Sequence, residues 1–115
     1  MKNENLYNKI ESLNPCSAWK KGVKSYALEM VEGAEVELTK ENAKETLLNG
    51  ARDWKHASLG GCFDVYDCDI AERLCSPSEL KRKKGGDLQP NSRETWLDVQ
   101  ARALCQACRL IVRNI

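Results

Sequence analysis

The chain has 115 residues, 42% of them hydrophobic, which is enough apolar side chain for one small core. Eighteen Lys and Arg against seventeen Asp and Glu leave a formal net charge of +1. That balance excludes a strongly basic nucleic-acid coat and a wholesale acidic mimic of DNA, and with this hydrophobic content it argues against disorder over the whole chain.

No 18-residue apolar run is present, so no membrane-spanning helix is expected. The N-terminal Met1-Lys2-Asn3-Glu4-Asn5 is polar and lacks the apolar stretch of a secretory signal. The expectation is one soluble helical domain over 1–115, in the cytoplasm of a bacterial host.

The first predicted element is a short helix over 4–13, with Leu6, Ile10 and Leu13 on one side. Asn14-Pro15 reads as a cap followed by proline at the first helical position, where its missing N–H costs nothing. The helix so begun runs to about residue 32. Trp19, Val23, Tyr26, Ala27 and Met30 recur at helical spacing, Lys20, Lys21 and Lys24 face outward, and Gly33 is the stop. After a connector over 34–38, Thr39 caps a third helix with Ala43, Leu47, Ala51 and Trp54 on one face. Residues 29–45 are locally acidic, with Glu at 29, 32, 35, 37, 41 and 45 against Lys40 and Lys44. Such a run is ordinarily a solvated face; as a functional surface it would meet a basic, nucleic-acid-binding protein.

Lys55 to Asp67, with Gly60-Gly61, reads as a loop, and the alternation Phe63-Asp64-Val65-Tyr66 admits a small β-hairpin. Asp69 with Glu72 resembles a capping box for a short helix through Cys75. Ser76-Pro77-Ser78-Glu79 is a stronger one, and predicts a helix carrying Leu80 and the basic run Lys81-Arg82-Lys83-Lys84, ended by Gly85-Gly86. Residues 87–91 read as a loop. Asn91 with Glu94 starts the last and longest helix, to about residue 113.

At about 100° per residue, this last helix places Trp96, Leu97, Ala101, Ala103, Leu104, Ala107, Leu110 and Ile111 on a broad apolar arc. Asp98, Arg102, Arg109 and Arg113 share the opposite stripe. Cys108 falls within the apolar arc, whereas Cys105 lies roughly 20° from Asp98, at the edge of the charged stripe.

The six cysteines, Cys16, Cys62, Cys68, Cys75, Cys105 and Cys108, are unusually many for this length. Without a secretory signal they read as metal ligands, redox groups or small core residues rather than a disulfide framework. Cys105 and Cys108, three apart on a helix, can contribute two ligands to one tetrahedral zinc. Cys68 and Cys75, if on one helix, stand about 10 Å apart along its axis, too far to share an ion. The expected ligand set is Cys62, Cys68, Cys105 and Cys108, with Cys75 or His56 as substitutes. Four protein ligands make such a site structural rather than catalytic. Burial as small hydrophobes remains the competing account of these cysteines.

His56 near Cys62 suggests a Cys–His nucleophile only weakly, since proximity in sequence says little about geometry. Asp64, Asp67 and Asp69 lack the glycine and glutamate of a calcium loop and suit turns and caps. Gly60-Gly61-Cys62 lacks the Gly-x4-Gly-Lys of a phosphate loop. Lys81–Lys84 either complements a helix dipole or contacts an acidic surface or nucleic acid, although no aromatic residue interleaves with it.

The stretch Tyr66-Asp67-Cys68-Asp69-Ile70-Ala71-Glu72-Arg73-Leu74-Cys75-Ser76-Pro77-Ser78-Glu79-Leu80-Lys81, preceded by Gly60-Gly61-Cys62, resembles small proteins carried by mobile elements and prophages of Gram-positive bacteria. The tail Trp96-Leu97-Asp98-Val99-Gln100-Ala101-Arg102-Ala103-Leu104 resembles them too. The resemblance covers about the C-terminal half. Small phage-borne proteins of this size include anti-CRISPR inhibitors, some of them zinc-binding, and the resemblance implies that role without supplying catalytic residues.

The sequence therefore leads to an all-α bundle of four to six helices with a cysteine-rich loop and a structural zinc. Its expected role is non-enzymatic: an inhibitor of a host protein, most specifically a CRISPR-Cas nuclease, with Glu35, Glu37, Glu41, Lys81, Arg82, Lys83 and Lys84 as candidate contacts. The alternative is a small DNA- or RNA-binding regulator using 81–84 with Arg102, Arg109 and Arg113.

Overall fold

A computed structural model describes residues 2–50, 74–82 and 88–115. Helix α1 spans Glu4–Glu11, α2 spans Ala18–Gly33, residues 43–50 form α3, and α4 spans Arg93–Asn114. A two-stranded antiparallel hairpin, β1 (Leu80–Arg82) with β2 (Leu88–Pro90), pairs Leu80 with Pro90 and Arg82 with Leu88. The architecture is an all-α bundle with one small hairpin at its side. The proposed 63–66 hairpin, the 69–75 helix apart from Leu74 and Cys75, and the far end of the third helix lie outside the described residues.

The bundle is built around α2 and α4, which share its most extensive helix–helix contact. From α2, Val23, Tyr26, Ala27, Met30 and Val31 are buried; from α4, Trp96, Val99, Ala103, Leu104, Ala107 and Ile111. Ala27, Ala103 and Ala107 lose all exposure, and so short a side chain lets backbones approach closely. Gln100 is buried on the same face of α4 and its amide donates to the Tyr26 hydroxyl at 3.4 Å, so a polar pair sits inside the apolar seam. Ile10 brings α1 onto this core, and Leu38, Ala43 and Leu47 bring the connector and α3.

Three expected boundaries move, the first being the end of α1, which stops at Glu11 rather than at residue 13. Helix α2 starts at Ala18, not at Pro15: Ser17 is its cap, and the Ser17 hydroxyl accepts the Lys20 N–H at 3.1 Å. Asn14-Pro15 instead belongs to the turn from α1, where Lys24 donates to the carbonyls of Glu11 (2.7 Å) and Leu13 (2.8 Å). The Glu11 carbonyl ends α1 without a partner in the helix and the Leu13 carbonyl lies just beyond it, so one lysine satisfies both with favourable charge. Helix α4 is capped by Ser92, which accepts the Thr95 N–H, rather than by Asn91.

The larger correction concerns 76–84. The Ser76–Glu79 cap forms, but it closes only a single 3-10 turn, Pro77–Glu79, and Leu80–Arg82 then extend into β1. A cap is local chemistry and needs only one turn. A helix through this run would carry Leu80 as its single apolar residue and be too short to persist alone. Pairing with β2 satisfies the backbone instead, helped by Asn91, whose N–H donates to the Glu79 carbonyl at 2.8 Å and whose amide donates to Ser78 at 3.0 Å. Part of the expected 87–91 loop is accordingly strand.

Asn3, which carries no signal in the sequence, is buried at 5% exposure. Its amide donates to the Val36 carbonyl at 3.0 Å and its carbonyl oxygen accepts the Leu38 N–H at 2.8 Å. One side chain thereby docks the whole 35–38 connector against the start of α1. Thr39 and Asn42 then exchange side-chain and backbone hydrogen bonds at the entry to α3, as the Thr39 cap predicts. Asn3→Ala leaves a buried donor and acceptor without partners and should cost about 2 kcal/mol in urea unfolding. A change below about 0.5 kcal/mol would show that water replaces the amide at no cost.

Candidate functional site

Two of the described thiols, Cys75 and Cys105, and two arginines of the C-terminal stripe meet in an open cleft of about 600 Å³ between α2, the 74–79 segment and α4. Trp19 comes from the first turn of α2, Cys75 and Glu79 from the turn before β1, and Arg102, Cys105 and Arg109 from the exposed side of α4. Arg102 is its organising group. Its guanidinium lies 3.2 Å from Asp98, one helical turn away, and 3.5 Å from Glu79, and it stands over the Trp19 ring at 5.8 Å from the centroid. Trp19 is fixed from the other side: its indole N–H donates to the Gln106 amide oxygen at 2.8 Å. Periodicity places Trp19 on the apolar side of α2, but the ring is only half-buried and spans the cleft edge.

Glu79 accepts from the Ser76 N–H at 2.8 Å and from the Ser76 hydroxyl at 3.0 Å. The Ser76 amide foremost, with that hydroxyl and Arg102, holds the carboxyl below the usual carboxylate range. Glu79 is therefore ionised at neutral pH, with both oxygens engaged. Nothing in its local sequence distinguishes the part it plays toward Arg102, 23 residues away.

Burial pushes the Cys75 thiol up to about 11, from an ordinary value of 9.0; the Glu79 carboxylate adds to this and Arg102 partly offsets it. Cys75 is thus a protonated thiol at neutral pH, not a ready nucleophile. Cys108 is half-buried and also raised, by burial first and by neighbouring Cys105 second. Cys105 is exposed, at the border of the charged stripe as its helical angle predicts. Cys62, Cys68 and His56 lie outside the described residues. Among the described residues no three His, Cys, Asp or Glu side chains come together as a metal site.

The other expected contacts separate by location. Lys81 and Arg82 are exposed on β1, while Lys83 and Lys84 lie outside the described residues. Arg109 and Arg113 are exposed along α4 with Arg102, as the angular reading predicts. Glu35, Glu37 and Glu41 are exposed, as are Glu29, Glu32 and Glu45. The acidic run therefore turns outward over its whole length, from the last turns of α2 through the connector into α3. On α2 these charges oppose the helix dipole: lysines 20 and 21 stand near its positive end and Glu32 at its negative end. Such placements cost roughly 0.3–1 kcal/mol each at a helix end. Compared with known proteins, the chain matches no family model, no curated sequence and no solved structure. No described helix is long and apolar enough to cross a membrane.

The cleft predicts two thiol classes. Cys16 and Cys105 should alkylate first, with Cys75 and Cys108 following only as the fold opens. A buried thiol whose folded pKa is raised contributes stability below its unfolded value and loses that contribution as pH climbs through the folded one. Between pH 9.0 and about 11 the wild type should lose on the order of 2–3 kcal/mol relative to Cys75→Ala. Parallel stability–pH curves for the two proteins would contradict the assignment.

Proposed function

We propose that this chain is a non-enzymatic binding protein that inhibits a host protein through its acidic face. The observation that supports this reading is the outward display of all six glutamates of 29–45, Glu32 among them although it works against the dipole of α2. Charges kept at a cost to helix stability are the kind expected of a contact surface. Their chemistry suits a partner with a basic, nucleic-acid-binding patch, which the glutamates would occupy in place of phosphates. A CRISPR-Cas nuclease is the specific partner in this proposal, on the strength of the resemblance to small phage-borne proteins. Because the acidic area is local and the net charge near zero, inhibition works by blocking one surface rather than by imitating a duplex.

The triple variant Glu35→Lys, Glu37→Lys, Glu41→Lys should weaken binding to a purified Cas nuclease more than about 100-fold, since charge reversal converts attraction into repulsion. All three side chains are exposed, so the melting temperature should stay within a few degrees of the wild type. Unchanged affinity removes the acidic face from the reading.

Zinc belongs to the same proposal. Cys105 and Cys108 supply two adjacent ligands from α4, with Cys62 and Cys68 completing a tetrahedron and Cys75 or His56 as replacements. Zinc would join α4 to the 60s segment and hold these thiols deprotonated, including Cys108, which burial otherwise keeps protonated. Native mass spectrometry should find one zinc above the denatured mass, with helical signal falling when a chelator removes it. A metal-free native mass withdraws the zinc.

A second reading has its own support. Arg109 and Arg113 project from α4 on the side of Lys20 and Lys24, a cationic strip suited to phosphate. A regulator of DNA or RNA using this strip with the 81–84 run would shift a duplex at low salt and release it as salt rises.

A further inference from the structure

A second groove, about 560 Å³, opens where the connection from α1 to α2 meets α4. Lys20 and Lys24 of α2 and Arg109 and Arg113 of α4 line it, with Val23 and Leu110 as apolar floor, and no carboxylate is among its described lining residues. The two carbonyls that Lys24 caps keep its charge fixed at the groove. The N-terminal end of α2 adds its positive dipole end.

The complementary feature stands at the opposite end of the same helix. Immediately after α2, the turn Glu35-Val36-Glu37 places two exposed carboxylates around Val36, which at 45% exposure is among the large apolar side chains left in solvent. This turn is pinned, not loose: Asn3 holds the Val36 carbonyl and the Leu38 N–H, and Lys2 donates to the Glu35 carbonyl at 2.7 Å. A preformed acidic turn with one apolar tip thus exists on the surface, and a cationic groove with an apolar floor exists elsewhere on it. The last groove residue on α2, Lys24, precedes its end at Gly33 by nine residues, so roughly 14 Å of helix separates the groove from the turn. No single molecule can bring them together.

We propose that the groove receives the Glu35-Val36-Glu37 turn of a second copy of this chain, Val36 against Val23 and Leu110 and the two carboxylates among the four cations. The inference goes beyond the host-protein reading and does not depend on it. The contact joins two different surfaces, so each added molecule leaves one groove and one turn open, and growth need not stop at two. A three-residue turn buries little area, which makes the association weak and readily reversed. Exposed charges carry much of it, so salt should dissolve it.

Sedimentation velocity over a concentration series tests the proposal with the protein alone. At low salt the weight-average coefficient should rise with concentration, and at high salt it should not. Arg109→Glu with Arg113→Glu, and separately Glu35→Lys with Glu37→Lys, should each weaken association more than about tenfold. A mixture of these two variants should associate again, because the unaltered cationic groove of the Glu35→Lys, Glu37→Lys protein then meets the unaltered acidic turn of the other. That recovery cannot come from misfolded protein, and Val36→Ser gives an uncharged check with the same expected loss. Wild type that stays monomeric at low salt overturns the proposal. So does association that survives both charge reversals, or a mixture that fails to recover. Monomeric protein that shifts a DNA duplex through Arg109 and Arg113 would likewise overturn it and assign the groove to phosphate.

Discussion

Close packing of α2 against α4 is the constraint on which the rest of the molecule depends. Three alanines with no remaining exposure, Ala27, Ala103 and Ala107, belong to this core, and the surrounding Val, Ile and Trp side chains fill its remaining volume. The Tyr26–Gln100 pair makes the seam selective, because sliding one helix along the other would strand two buried polar groups. Every surface feature follows from this register. It sets Trp19 beneath Arg102, brings Lys20 and Lys24 opposite Arg109 and Arg113, and turns the end of α2 toward the Asn3-held connector.

Much of this was legible as periodicity. The apolar repeats of α2 and α4 are long enough for packing and propensity to agree, and the angular position of Cys105 beside Asp98 correctly anticipates its exposure. Where two local signals compete, the reading fails. Asn14-Pro15 and Ser17 are both acceptable starts, and the choice depends on Lys24 capping the carbonyls before it, a contact invisible in local sequence. Ser76–Glu79 has all the chemistry of a helix start, yet the residues beyond it lack an apolar face, and a strand partner some ten residues on decides the outcome. Buried Asn3, Gln100 and the Glu79–Arg102 pair have no signature short of the fold itself, since each acts across a separation that periodicity does not sample. Of the candidate sites, the outward acidic run and the arginine stripe were readable, whereas the cleft that gathers Cys75 with Cys105 required the tertiary structure.

Charge is balanced over the chain but not along α2, and this distinction shapes both functional readings. A partner that took the acidic face and a neighbour that offered its groove would compete for the same turn, since Glu35 and Glu37 belong to each contact. Self-association would then hold the acidic face in reserve at high concentration and release it on dilution. The near-zero net charge permits such contacts by removing the long-range repulsion that keeps highly charged proteins apart.

Glu79 joins parts of the chain that are otherwise separate. Its carboxylate ties Ser76 to Arg102, its carbonyl accepts from Asn91 beside the hairpin, and Arg102 in turn lies over the indole of Trp19. The optical environment of that indole is consequently coupled to the docking of β1 and β2. Trp96 is sealed in the core and responds to global unfolding, whereas Trp19 sits at the cleft edge with a cation above its ring and Gln106 at its nitrogen. Local release of the hairpin would lift the guanidinium and change the emission of Trp19 while leaving Trp96 silent. The two described indoles thus report on different events, Trp19 on partial opening and Trp96 on complete unfolding, without any label being added.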